Sequence, residues 1–181
     1  MKLERTAIPD VLVLEPRVHG DARGFFMETW NARDFAALGV SAQFVQDNHS
    51  RSSGRVLRGL HYQLRRPQGK LVRVAAGEIW DVAVDLRRSS PSFGRWAGAR
   101  LGAAVPRLMW IPPGFAHGFL VLSESADVLY KTTDYYAPED ERALLWNDPA
   151  LGIVWPLAGA APVLSERDRR GTPLAQAETY A

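Results

Sequence analysis

The sequence predicts an all-β fold, an antiparallel sandwich or barrel with little helix. Three observations carry this expectation. Short apolar runs recur at regular intervals along the 181 residues, with the length and alternation of strands half-buried on a core. Clusters bearing Gly and Pro, which number 15 and 12, separate the runs and set turns between them. Only one stretch before the C-terminal region combines helical composition with a cap at both ends.

Taken in order, residues 11–16 read as a strand stopped by Pro16, whose ring removes the amide that a ladder needs. A loop follows over 19–24, and 25–30 form a second strand. Asn31 is placed to cap a short helix over 32–38, which Gly39 ends. The strand over 43–50 puts Gln46 and Asn48 on one face, and a turn spans 51–54. A meander comes next, with strands opening at Val56, Lys70 and Ile79 and closing at Asp85. Here His61, Lys70 and Asp81 interrupt otherwise apolar runs, and burying such groups is costly unless they are paired or used. The meander is therefore expected to form the wall of a site. After a loop at 91–94, strands are expected over 95–101 and 107–111. A tight turn at Pro112-Pro113-Gly114 feeds another strand, in which alternation puts His117, Phe119 and Val121 on one face. The strand over 127–133 makes Tyr130 and Lys131 face opposite ways, and an exposed loop spans 135–141. The remainder is irregular with one helical turn, and no repeat or linker divides the chain, so one domain over 1–181 is expected. In a small barrel every second strand residue lines the interior, where His61, His117 and Tyr130 can converge.

Composition narrows the function classes. With 22 Lys and Arg against 20 Asp and Glu, and no basic stripe, nucleic-acid binding has little support. No apolar run approaches the roughly 20 residues of a bilayer crossing. The opening Met1-Lys2-Leu3-Glu4 lacks the apolar core of a signal peptide, which makes a cytoplasmic location the expectation. The absence of Cys excludes disulfides, thiol catalysis and thiolate metal sites. Only three Lys occur, at positions 2, 70 and 131, so this chain draws its basic charge from Arg. A Lys opening an apolar strand is then a candidate functional residue.

Two kinds of chemistry suit these residues. His61 and His117 on different strands invite a mononuclear metal, but Gln63 is a poor ligand and Lys70 would repel a cation. Proton transfer fits better. A neutral His61 can remove a proton if a carboxylate orients its far nitrogen, and imidazole titrates near about pH 6.5. Tyr130 can return a proton from another side, and a nearby cation would lower its pKa. Lys70 can stabilise an enolate oxygen. Base, acid and oxyanion stabiliser together suit proton abstraction next to a carbonyl. Taken singly, a strand His or Tyr is more often a packing residue; His19 and His49 read as structural or peripheral. Asp81 is either a partner for Lys70 or a solvated strand residue. Arg23 and Arg58 could fork onto phosphate oxygens, although alternation puts Arg58 opposite His61, so it needs either a bulge at Gly59 or a differently placed ligand. Arg33, Arg87 and Arg95 read as surface charges.

These residues sit in motifs. Arg23-Gly24-Phe25-Phe26, Gln46-Asp47-Asn48-His49-Ser50, Arg58-Gly59-Leu60-His61-Tyr62-Gln63, Gln68-Gly69-Lys70-Leu71-Val72, Pro112-Pro113-Gly114-Phe115-Ala116-His117-Gly118-Phe119 and Tyr130-Lys131-Thr132-Thr133 occur in order. Together they resemble the dTDP-4-dehydrorhamnose 3,5-epimerase family over nearly the whole chain. The resemblance implies a cupin-type antiparallel jelly roll with a few short helices, usually a homodimer, with no metal and no organic cofactor. Gln63 stands where metal cupins carry the second His of a His-x-His pair, and Lys70 where they carry a Glu ligand. By motif, His61 is similar to the family's base, Asp168 to the carboxylate that orients it, Tyr130 to the acid and Lys70 to the enolate stabiliser. Arg23, Glu28, Gln46, Asn48, Arg58, His117 and Tyr136 match nucleotide-sugar contacts, with Arg23 and Glu28 reaching the partner's site. The implied reaction converts dTDP-4-dehydro-6-deoxy-D-glucose to dTDP-4-dehydro-L-rhamnose. Epimerisation of one centre only is the near alternative, and a metal-binding or non-catalytic sugar-binding cupin is the distant one.

Overall fold

Residues 1–181 are described by a computed structural model. Its strands are β1 (Lys2–Arg5), β2 (Leu12–Glu15), β3 (Val18–Asp21), β4 (Gly24–Met27), β5 (Gln46–Ser53), β6 (Leu57–Gln63), β7 (Lys70–Ala76), β8 (Glu78–Asp85), β9 (Trp96–Gly102), β10 (Leu108–Ile111), β11 (Phe115–Val121), β12 (Ser125–Thr132) and β13 (Glu141–Ala143). The helices α1 (Ala32–Ala37) and α2 (Glu166–Arg169) are short. Two antiparallel sheets, ordered β1-β2-β10-β7-β12-β5 and β13-β6-β11-β8-β9, pack face to face, and β3-β4 stand apart as a hairpin. This is a cupin-type jelly roll, as the resemblance implied.

Strand alternation distributes the side chains among three apolar layers. Val72, Val74, Met109, Ile111 and Val128 of one sheet meet Ile79, Ala83, Phe115, Phe119 and Val121 of the other between the sheets. The next residues along point outward. Leu71, Leu108 and Trp110 pack under Phe35 of α1 and Val40, whereas Val82, Val84, Ala116 and Leu120 pack under Leu151, Trp155 and Ala177 of the C-terminal segment. Each fully buried Leu, Ile or Phe contributes about 1.5–3 kcal/mol relative to exposure. At one end of the sandwich the inter-sheet positions turn polar, and there the core opens into a cavity.

Four local features differ from the expectations. β1 was not foreseen, because its polar Lys-Leu-Glu-Arg sequence has no alternation and is held in the ladder by β2 alone. The loop expected at 19–24 is most of strand β3 and the turn of the β3-β4 hairpin, where exposure on both faces leaves no hydrophobic pattern, while the strand expected over 25–30 is β4, which ends at Met27. β5 starts later than expected and runs through Arg51, Ser52 and Ser53, which pair with β12 rather than turn. The loop expected at 135–141 ends in β13, three residues paired to the edge of β6. Asn31 caps α1 as foreseen, its side chain accepting from the amides of Arg33 and Asp34.

Arg87 is not a free surface charge. It donates to both oxygens of the fully buried Asp85, reaches Asp10 at 2.7 Å and lies over the Phe115 ring. Ser90 and Ser92 also donate to Asp85. Burial alone would raise the Asp85 carboxyl, yet these donors outweigh it and hold the group at about 2.

Candidate active site

A bulge builds the wall of the cavity. β6 and β11 pair His61 with His117 and Arg58 with Phe119, so three steps on β6 match two on β11. The extra residue is Gly59, with φ of 116°, and a Cβ there would meet Gly118 Cα at 2.5 Å. Only Gly fits such an approach in that conformation. Leu57, Leu60 and Tyr62 consequently point to the outer layer, while Arg58, His61 and Gln63 all reach the cavity. The bulge required for Arg58 is present.

The cavity measures about 190 Å³, and Ser50, Arg58, His61, Lys70, His117 and Tyr130 are among the residues lining it. Both sheets contribute. His61 Nε2 stands 2.7 Å from Asp168 Oδ1. Asp168 is buried, and its oxygens also accept from Ser165 Oγ at 2.6 Å and from the Gly59 amide at 3.2 Å. Ser165 caps α2 and accepts from the Asp168 amide at 3.2 Å, so the helix start orients the carboxylate. Burial pushes the Asp168 carboxyl up, but the donors from His61 and Ser165, with the Gly59 amide, more than offset this and hold it below the usual carboxylate range. An ionised Asp168 is acceptor only, so Nε2 of His61 carries its hydrogen and Nδ1 is left as the basic nitrogen.

Lys70 is 8% exposed and donates to the His61 carbonyl at 3.3 Å. Burial pulls its ammonium down to about 8, against the opposing charges of Glu141 and Asp81. Tyr130, on β12, packs against the inter-sheet core. Its pKa is raised by burial, which outweighs the Arg58 cation; the lowering expected from a nearby cation does not prevail. Tyr130 is thus held as the protonated acid.

Asp81 is neither solvated nor paired with Lys70. It is fully buried and lies 2.6 Å from His117 Nε2, forming a second His–Asp pair beside the first. Parity with Ile79 and Ala83 holds, but only the β8-β11 register decides the partner, placing Asp81 opposite Phe119 and next to His117. Arg58 Nε reaches across to Ser52 Oγ of the other sheet at 2.9 Å. Gln46 and Asn48 hydrogen-bond each other at 2.8 Å and lead to the rim through the Tyr136 amide, which donates to Gln46. At that rim Glu141 accepts from the Tyr136 hydroxyl and pairs with Arg167 at 2.6 Å.

Two candidates lie elsewhere. Arg23 is exposed on the hairpin and paired with Asp21, while Glu28 accepts from the Asn31 amide nitrogen at 3.3 Å; neither lines the cavity of its own chain. Glu141 and Arg167 were missed, since charged residues in an exposed loop and a tail carry no local signal. Ser165 was legible in principle, because a Ser three residues before an acid is a helix-start pattern. No group of three or more His, Asp or Glu side chains is placed to hold a metal ion.

The profile of the dTDP-4-dehydrorhamnose 3,5-epimerase family matches residues 5–176. The chain belongs to this family. It is 62% identical over 181 residues to the dTDP-4-dehydrorhamnose 3,5-epimerase of Pseudomonas aeruginosa, covering 99% of each chain. Among solved epimerases, the dTDP-6-deoxy-D-glucose-3,5-epimerase of Legionella pneumophila, in complex with dTDP-4-keto-L-rhamnose, superposes with a TM-score of 0.95 at 49% identity, over 98% of this chain and 94% of that one. A 3'-monoepimerase from Streptomyces bikiniensis, in complex with dTDP-quinovose, superposes with a TM-score of 0.88 at 34% identity, over 94% and 87%. This 3,5-epimerase and this 3'-monoepimerase thus share the fold of the chain, and of the two the 3,5-epimerase is the more similar in sequence.

Proposed function

We propose that the chain epimerises dTDP-4-dehydro-6-deoxy-D-glucose at carbons 3 and 5, giving dTDP-4-dehydro-L-rhamnose. The observation that carries this reading is the oriented His61–Asp168 pair in one cavity with buried Lys70 and protonated Tyr130, drawn from opposite sheets. The 4-ketone makes the hydrogens on both flanking carbons acidic and is itself the electron sink, so no cofactor is needed. His61 Nδ1 takes the proton from carbon 5 or carbon 3, and the C–H electron pair moves into the enolate. The Lys70 ammonium stabilises the oxygen charge where it develops. Tyr130 delivers a proton to the opposite face of the same carbon, which inverts it. Exchange with solvent then returns Tyr130 to the acid form and His61 to the base, and the second centre follows by the same sequence.

Arg58, His117, Gln46, Asn48 and Tyr136 bind the nucleotide and diphosphate in this reading. The cavity is smaller than the roughly 300–1,000 Å³ of sites that enclose drug-sized ligands, so the sugar enters and the nucleotide extends over the rim. The active species is a homodimer. Phe25 and Phe26 are about 70% exposed on a hairpin that makes no sheet with the rest of its chain, an arrangement that favours docking on a second copy. Arg23 and Glu28 then complete the partner's site. A cytoplasmic location suits an enzyme acting on a nucleotide sugar.

Incubation with substrate in deuterium oxide tests the proposal. Solvent deuterium is expected at carbons 3 and 5 with native protein and at neither with His61→Ala. Exchange at carbon 3 alone selects the single-centre reaction, and exchange at neither carbon with native protein refutes epimerisation.

A further inference from the structure

Two residues beyond His61, Gln63 is buried at 3% exposure, and every hydrogen bond of its side chain goes to backbone. Nε2 donates to the Arg66 carbonyl at 2.9 Å and the Tyr135 carbonyl at 3.2 Å, while Oε1 accepts from the Ala137 amide at 2.9 Å. The amide therefore clasps the chain on both sides of Tyr136. A planar amide supplies two N–H donors and an acceptor from one end of a flexible stem, a set that imidazole cannot match.

Tyr136 is held from the other direction as well. Its amide donates to Gln46 Oε1 at 3.0 Å, and Gln46 Nε2 donates to Asn48 Oδ1 at 2.8 Å. Gln63 belongs to the five-stranded sheet, whereas Gln46 and Asn48 lie on the edge strand of the six-stranded sheet. Three amide side chains and one loop thus span the cavity mouth from sheet to sheet. The Tyr136 side chain itself is half exposed at that mouth and its hydroxyl donates to Glu141, so polar contacts, the clasp among them, hold it with little help from apolar packing.

We propose that Gln63 is a positioning residue that preorganises Tyr136 for nucleotide binding. The inference rests on the reading of this cavity as a nucleotide-sugar site. A loop already ordered before the ligand arrives loses less conformational freedom on binding, and the saving appears as affinity. The Gln63 side chain makes no hydrogen bond to His61 or Tyr130, so its contribution falls on binding and not on proton transfer.

The test uses full-length protein and dTDP as probe. Gln63→Met preserves volume and removes all three hydrogen bonds. Calorimetry is expected to show dTDP binding weakened about tenfold, and turnover a matching rise in KM with kcat retained. On a Tyr136→Ala background, Gln63→Met is expected to cost no further affinity, since the contact it positions is gone. Gln63→Glu retains the acceptor for Ala137 but offers no hydrogen to the two carbonyls, and is expected to weaken dTDP binding in the same way if Gln63→Met folds poorly. Native-like affinity in both Gln63 variants, additive losses with Tyr136→Ala, or a lower kcat at unchanged KM would each overturn the inference. Failure of native protein to bind dTDP would instead remove the nucleotide-sugar reading, and the inference with it.

Discussion

Lys70 combines two properties that ordinarily exclude one another, a buried position and a charge. Taking an ammonium out of water costs several kcal/mol unless partners compensate, and its only hydrogen bond is to the His61 carbonyl at 3.3 Å. Burial leaves the group titrating at about 8, so it is mostly charged at neutral pH and poised to lose that charge just above it. Because the ammonium is the form that stabilises an enolate, kcat is expected to fall as pH rises through about 8. In Lys70→Arg the guanidinium cannot deprotonate, and this alkaline limb is expected to move to higher pH even if the maximum rate is lower. A pH–rate profile showing the same limb in both proteins would assign it to another group. The neighbouring Asp168 needs no such poise. It serves by staying ionised, and the donors around it hold it so.

Among the elements, β6 is the one whose irregularity matters. A regular strand would place Arg58 and His61 on opposite faces; the bulge at Gly59 brings both into the cavity while keeping Leu57, Leu60 and Tyr62 in the outer layer. Its cost is a backbone that only Gly tolerates. Gly59→Ala is expected to lose roughly 3 kcal/mol of stability, from positive φ and from overlap with Gly118, and urea unfolding should read this as a lower midpoint. Deuterium exchange should fall in the same variant while it is still folded, because flattening the bulge rotates His61 away from Asp168. Unchanged stability and exchange would mean that the bulge is incidental. The need for this bulge was readable from the spacing of Arg58 and His61, and so were the strands with one apolar and one polar face. The strands β1, β3 and β13 were not, because they are short or polar and depend on a partner strand, whose register no local pattern contains.

At the scale of the whole molecule, the hairpin that carries Arg23 and Phe25 has no packing of its own to justify its place. If it completes a partner's site, two defective chains can repair each other. Arg23→Ala and His61→Ala, each inactive alone, are expected to recover about a quarter of native activity when dissociated together and reassembled at equal amounts. Half of the dimers are then mixed, and each mixed dimer contains one intact site of two. No recovery, in the presence of demonstrated chain exchange, would place Arg23 in the site of its own chain or outside any site.

By itself the sequence determined the fold class, the residues misplaced in apolar strands and the family to which those motifs belong. It did so because alternation, turn residues and unusual polar insertions are all properties of the chain over a few residues. Tertiary structure decided which of those residues meet. Asp168 reaches His61 from more than a hundred positions away, Asp81 chooses His117 over Lys70, and Gln63 turns out to hold the loop of Tyr136. Such pairings follow from the register of strands and the closing of two sheets on one another, and short-range pattern contains neither.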